Sequence, residues 1–147
     1  MSAPKRSYSS RLALLLGDRR GETRDAGEWH ERILEGLKFD AVEKVKARVA
    51  LTDAEVAKLL GIGQATLRRA RASGGTLDPA TSDRLYRLTK AIAIAEEVLE
   101  GPDNALTWLK RPQPALGGRV PLELLVTQAG ADEVETLLRR IDYGVYT

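Results

Sequence analysis

An all-α fold is predicted by three observations. Charged residues make up 30% and apolar residues 43% of the 147, with one Phe, two Trp and four Tyr, a balance typical of a folded helical chain and not of a disordered one. Apolar residues recur at steps of three and four over several long stretches, the period of a helix with one buried face. Gly, Pro and capping side chains bound those stretches.

Residues 1 to about 10 (MSAPKRSYSS) are polar, with Pro4 and four Ser, and are expected to be unstructured or lightly docked. Leu12 to Leu16 is compatible with a helix or a short strand, and Gly17, Gly21 and Gly27 break any long pattern. From Trp29 the signal improves. Ile33, Leu34 and Leu37 have helical spacing, and Asp40 is placed to cap a helix over about Ala41 to Ala50. There Val42, Val45 and Val49 face inward, while Glu43, Lys44, Lys46 and Arg48 face water.

Thr52 followed by Glu55 is a capping box, in which each side chain satisfies the other residue's free backbone N–H. The helix it starts buries Val56, Ala57 and Leu60 and stops at Gly61, which tolerates the positive φ of a tight turn. Ile62 plugs the turn, and a second helix follows from about Gln64 with Leu67 and Ala70 inside. A small residue at the helix crossing, a Gly at the turn and flanking apolar groups are what a helix-turn-helix requires, and Ala57, Gly61, Ile62, Leu67 and Ala70 supply them in order.

Gly74-Gly75 ends that unit and Leu77-Asp78-Pro79 restarts the chain, with Thr81 to Asp83 as alternative start signals. A long helix is expected to about Glu100. Its stripe of Leu85, Leu88, Ile92, Ala95 and Leu99 can lie on the chain's own core or on a second copy, and the heptad-like spacing keeps a homodimer open. Gly101-Pro102 ends it. A short helix is expected from Asn104 to Lys110, then an irregular Pro/Gly stretch, a helix over Leu122 to Val126 led by Pro121, and a last helix over about Asp132 to Asp142. That last helix buries Val134, Leu137, Leu138 and Ile141 and is capped by Gly144. Trp108 on its short helix is expected in the core, since most large apolar residues on such helices pack inside.

Composition also excludes. With no Cys there are no disulfides or thiolate metal sites, and His30 alone makes a His-based metal site or a Ser-His-Asp triad a poor fit. Gly61-x-Gly63 is followed by Thr66 where a dinucleotide fingerprint needs a third Gly. Glu96-Glu97 is read as a solvated face and Asp132-Glu133 as a helix-start charge pair. No catalytic residue, metal ligand or cofactor is therefore assigned, and a non-enzyme is expected. The longest apolar run, Leu12 to Leu16, is too short for a membrane span or a secretory core, so a cytoplasmic protein without membrane contact is expected. The net charge of +2 hides an asymmetry, because residues 1–75 balance to +5 and residues 76–147 to −3. The first half suits phosphate and the acidic second half suits a protein partner.

The segment from Thr52 to Ala72 resembles the helix-turn-helix of Xre (phage-repressor-like) regulators. By that resemblance Gln64, Ala65, Arg68 and Arg69 point outward on a recognition helix, with Arg71 grouped among the DNA-facing residues. Gln can bond adenine, Arg can bond guanine, and either Arg can instead clamp phosphate.

Residues 81 to 147 resemble the toxin-binding domain of the Xre/MbcA/ParS antitoxins. The matching residues are Ser82-Asp83-Arg84-Leu85, Ala105 with Trp108-Leu109, and Pro114 to Arg119 with Pro121-Leu122 and Leu125, followed by Gly130 and the ending Arg140 to Tyr146. Taken together the resemblance covers roughly residues 33 to 147, with none in the first 30. It implies an N-terminal extension (1–30), a helix-turn-helix domain (31–76) and a toxin-binding domain (77–147).

Family members are encoded beside a RES-domain toxin, whose fold resembles ADP-ribosyltransferases and which consumes NAD. The resemblance thus implies a chain that silences that enzyme, binds operator DNA to repress their shared operon and holds no cofactor itself. The toxin-facing residues are expected to be Tyr143, Gly144, Val145, Tyr146 and Thr147. An aromatic ring can fill a preformed pocket, and the Thr147 carboxylate can meet a nucleotide-binding Arg. The alternative is a dimeric helix-turn-helix repressor with no toxin.

Overall fold

The computed structural model describes residues 7–18 and 23–144, and within them the chain is helical without a strand. The first helix, α1 (Tyr8–Leu15), is capped by the Ser7 hydroxyl, which settles the Leu12 run as helical and starts order earlier than the polar composition suggested. Residues 1–6 and Gly21 lie outside the described residues. Helix α2 (Ala26–Glu35) begins at a second capping box. Asp25 accepts from the Glu28 N–H at 2.8 Å and Glu28 accepts from the Asp25 N–H, so Gly27 sits inside the first turn instead of breaking it. Of the spaced apolar residues there, Leu37 is buried but Leu34 is 55% exposed.

Helix α3 (Asp40–Arg48) buries Ala41, Val42 and Val45. Asp40 is its first helical residue and not its cap; the cap position is Phe39, with no side-chain hydrogen bond. Helices α4 (Asp53–Leu60) and α5 (Gln64–Ser73) follow as the sequence expects.

Helix α6 (Pro79–Val98) is the axis of the molecule. Pro79 at its first turn and the Asp78 carboxylate, which accepts from the Thr81 N–H at 2.8 Å, fix its start. It packs against α1, α2, α4, helix α7 (Pro102–Leu109) and helix α9 (Gln128–Asp142). Residues 91 to 96 are buried on every side, so the apolar stripe lies on the chain's own core. A helix buried all round is a core helix, not the seam of a dimer.

One member of that run is Glu96, only 1% exposed. This corrects the reading of Glu96-Glu97 as a solvated face. Glu96 receives Arg48 in a two-pronged pair, Nε at 2.8 Å and Nη2 at 2.7 Å, and Arg11 Nη1 at 2.9 Å. Glu97 accepts the Tyr8 backbone N–H at 3.1 Å. A buried carboxylate is tolerable only when paired and hydrogen-bonded. Here the partners come from α1 and α3, so one side chain of α6 holds two other helices.

Beyond α6, α7 begins at Pro102, two residues earlier than Asn104, whose amide instead donates to the Leu99 carbonyl at 2.8 Å. A 3-10 turn (Pro114–Leu116) and the short helix α8 (Pro121–Leu124) lead to α9. That last helix starts a full turn before Asp132, because Thr127 accepts from the Gly130 N–H at 3.0 Å and caps it. Asp132 and Glu133 therefore lie past the first turn.

Candidate functional site

The α4–α5 unit is built by local chemistry. Thr52 and Glu55 exchange hydrogen bonds of 3.1 and 3.0 Å at the start of α4, and Gly61 ends it in the left-handed region at φ 68°. The turn closes with the Ile62 N–H donating to the Ala57 carbonyl at 3.0 Å. Helix α5 is then set on the core by Leu67, which is fully buried, with Ala70 partly buried. Four of the expected contact residues, Gln64, Ala65, Arg68 and Arg69, share the opposite, exposed surface. Arg69 donates to Thr66 at 3.3 Å, and Arg68 has no ion-pair or hydrogen-bond partner among the described residues.

Arg71 is placed differently from these four. Its Nε reaches Glu43 at 2.9 Å, while Nη1 and Nη2 reach Asp53 at 3.0 and 2.8 Å, and its guanidinium lies 5.8 Å from the Phe39 ring centre. Lys46 completes the group at 2.8 Å from Asp53. The Arg71 bonds, then that of Lys46, hold the Asp53 carboxyl well below the usual range, and Asp53 with Glu43 in turn raises Arg71. Two cations and two carboxylates sum to zero, so the cluster presents no net charge. Arg71 acts as a strut from α5 to α3 and α4. Partners 18 and 28 residues away leave no local signal in the sequence.

At the other end of the chain, the Gln113 N–H donates to the Arg119 carbonyl at 3.0 Å and closes a loop that buries Leu116. Gly130 lets α9 cross directly over α8. A Cβ there would lie 1.9 Å from the Leu124 carbonyl oxygen, a clash no rotamer can relieve. Between the 3-10 turn and α9 lies a groove of about 460 Å3 lined by Leu116, Gly117, Arg119, Thr136 and Arg140. Tyr143, just past the end of α9, is 80% exposed, and Gly144 follows it. Val145, Tyr146 and Thr147 lie outside the described residues.

Trp108 is not the core anchor expected. Leu109 beside it is fully buried, whereas Trp108 is half-buried along a second groove with Arg111, Pro112 and Gln113. His30 is exposed, and among the described residues no cluster of His, Asp or Glu could hold a metal ion. No helix among them is long and apolar enough to cross a membrane.

Comparison with known proteins matches these two regions separately. Residues 28–90 match the family described as the antitoxin Xre-like helix-turn-helix domain, and residues 95–144 match the antitoxin Xre/MbcA/ParS C-terminal toxin-binding domain. The two matches meet inside α6. An antitoxin Xre of Pseudomonas putida is 32% identical over 137 residues, covering 93% of this chain and 84% of that protein. An alignment of that length extends into the first 30 residues, whereas the two family domains begin only at residue 28. The antitoxin Xre of Yersinia enterocolitica is 31% identical over 113 residues, 76% of each chain. In fold, the chain resembles one from the crystal structure of the M. tuberculosis MbcT-MbcA toxin-antitoxin complex, with a TM-score of 0.55 at 23% identity over 74% of this chain and 96% of that one. With both family domains in order and relatives above 30% identity along most of its length, this chain belongs to the Xre/MbcA/ParS antitoxin family, an antitoxin with an Xre-like helix-turn-helix followed by a toxin-binding domain.

Proposed function

We propose that this antitoxin neutralises a RES-domain, NAD-consuming toxin through residues 95–144 and the tail that follows, and binds operator DNA through α5 to repress the operon encoding both. The observation that carries the DNA half is the exposed surface of Gln64, Ala65, Arg68 and Arg69, from which no carboxylate removes Arg68. Gln and Arg on one helical surface can address adenine, guanine or phosphate. Arg71 contributes to DNA binding by fixing the pitch of α5, not by touching the duplex. Paired copies would match a palindromic operator. Because residues 91–96 of α6 are enclosed by their own chain, such a homodimer has to use another surface.

The toxin half is supported by the family's toxin-binding domain and by Tyr143, an aromatic ring held in water at the end of α9. A ring without a pocket of its own suits a pocket on a partner. The tail from Tyr143 to Thr147 enters the toxin's NAD cleft and excludes the substrate. The antitoxin carries out no chemistry itself and acts in the cytoplasm, where operon and toxin are found.

Two measurements test the proposal. Arg68→Ala with Arg69→Ala should weaken binding to the DNA upstream of the gene by at least about 30-fold, since each good base contact is worth about 1–3 kcal/mol; unchanged salt-dependent binding would remove the α5 assignment. Removing the last four residues should abolish protection against the toxin encoded next to it. Full protection by the truncated chain would rule out the tail as the inhibitor.

A further inference from the structure

Arg84 is a cation that the fold holds within the field of Asp78 but bonds to no carboxylate. It is half-buried in the second turn of α6, and among the described residues it makes no hydrogen bond or ion pair. Most other cations near the N-terminal half of α6 or the base of α5 have partners: Arg87 has Asp83, Lys90 has Glu135, and Lys46 and Arg71 share Asp53. The nearest acidic side chain in sequence on the N-terminal side of Arg84 is Asp83, at the start of that Arg87 pair, and Asp78, which accepts from the Thr81 N–H and hydroxyl, acts on Arg84 only through space.

Its location is specific. A Cβ added at Gly61 would meet Arg84 Cζ at 3.0 Å and its Nε and Nη1 both at 3.1 Å. Three nearly equal distances mean that the guanidinium lies face-on against the turn between α4 and α5. Gly61 is needed for its positive φ, and a Cβ there would also displace the guanidinium by a few tenths of an ångström. A guanidinium stacked by its face keeps its N–H donors at the rim, in the plane of the group. Those donors lie at the turn that delivers Gln64, the first residue of α5.

We infer that Arg84 is a backbone-phosphate contact of the helix-turn-helix, clamping the strand beside the Gly61–Gly63 turn and tying α6 to the DNA. The inference rests on the reading that α5 binds an operator. Arg84 supplies position and charge, while Gln64 and Arg68 supply sequence. The competing role is structural. Gly61 is the C-cap of α4, and a cation there stabilises the carbonyl end of the helix without touching DNA.

Binding of the full-length protein to a labelled duplex of the promoter region, and to an unrelated duplex, across a salt series separates the two. Arg84→Gln should lower affinity about five- to tenfold on both duplexes and reduce the slope of log K against log salt by about 0.9, the value of one phosphate contact. Arg84→Lys should restore most of the slope. A wild-type slope in Arg84→Gln overturns the inference, and if its melting temperature falls at the same time the helix-end role is assigned instead. If the wild-type protein binds neither duplex in a salt-dependent way, the DNA reading itself falls, an outcome distinct from failure of the Arg84 contact alone.

Discussion

Replacing Glu96 by Gln should be among the most damaging single changes in the molecule although it removes no volume. The carboxylate accepts three hydrogen bonds of 2.7, 2.8 and 2.9 Å from two guanidinium groups. Hydrogen bonds to charged groups contribute about 1.5–3 kcal/mol each, but these share one acceptor group and do not add. Removing one partner of a buried ion pair costs about 3–5 kcal/mol, because the other charge is left unpaired. The Arg48 side chain is 36% exposed and can turn partly to water, whereas that of Arg11 is 15% exposed, which favours the lower end, about 3 kcal/mol. For a chain of this size that corresponds to a fall in melting temperature of about 6–12 °C, read by circular dichroism. Because the two guanidinium groups share one carboxylate, their mutant cycle is expected to be non-additive. Arg11→Ala and Arg48→Ala each leave Glu96 one partner, while the double variant leaves it none and should cost more than the sum. A loss below about 1 kcal/mol in Glu96→Gln, or a cycle that adds to within about 0.5 kcal/mol, would refute the reasoning.

Acid should weaken the helix-turn-helix first. Asp53, Glu55 and Asp78 all have folded pKa values below their ordinary ones: Asp53 through Arg71 and Lys46, Glu55 through the Thr52 N–H and Asp78 through the Thr81 N–H. Their contribution is therefore complete above about pH 4–5 and disappears as pH falls through the lowered values. Melting temperature against pH should show that decline, and Asp53→Asn should make it shallower. Gly130→Ala should cost about 2–3 kcal/mol by forcing α9 off the Leu124 carbonyl. Gly63→Ala, where a Cβ meets nothing within 4 Å, should cost less than about 1 kcal/mol by urea denaturation. Tyr143→Ala should leave stability within about 0.5 kcal/mol of wild type, as expected for an exposed side chain, yet weaken toxin neutralisation.

What the sequence discloses here is mainly what neighbouring residues decide. The Thr52–Glu55 box, the Gly61 turn, the Asp78-Pro79 start and the buried spacing of Leu85, Leu88 and Ile92 are local signals, and each reappears in the structure. Asp25 with Glu28 and Thr127 with Gly130 are equally local, yet the glycines beside or within them masked them. Long-range pairing left no trace. Glu96 reads as part of a charged surface because its partners lie 48 and 85 residues earlier, and Arg71 reads like Arg68 because Glu43 and Asp53 come from other helices. Trp108 was misplaced by a rule of averages, since its neighbour Leu109 fills the core position. Of the candidate site, four of the five residues expected to face DNA share one exposed surface. Of the tail expected to face a toxin, Tyr143 and Gly144 are described, and both are exposed.

The proposed function is inhibition of a partner enzyme, and NAD consumption by the purified toxin, which that proposal takes to be a RES-domain protein encoded beside this gene, measures it directly. Adding the full-length antitoxin at equimolar concentration should stop NAD loss, and adding the chain without its last four residues should not. Continued NAD consumption in the presence of a stable complex with the intact antitoxin would contradict the account.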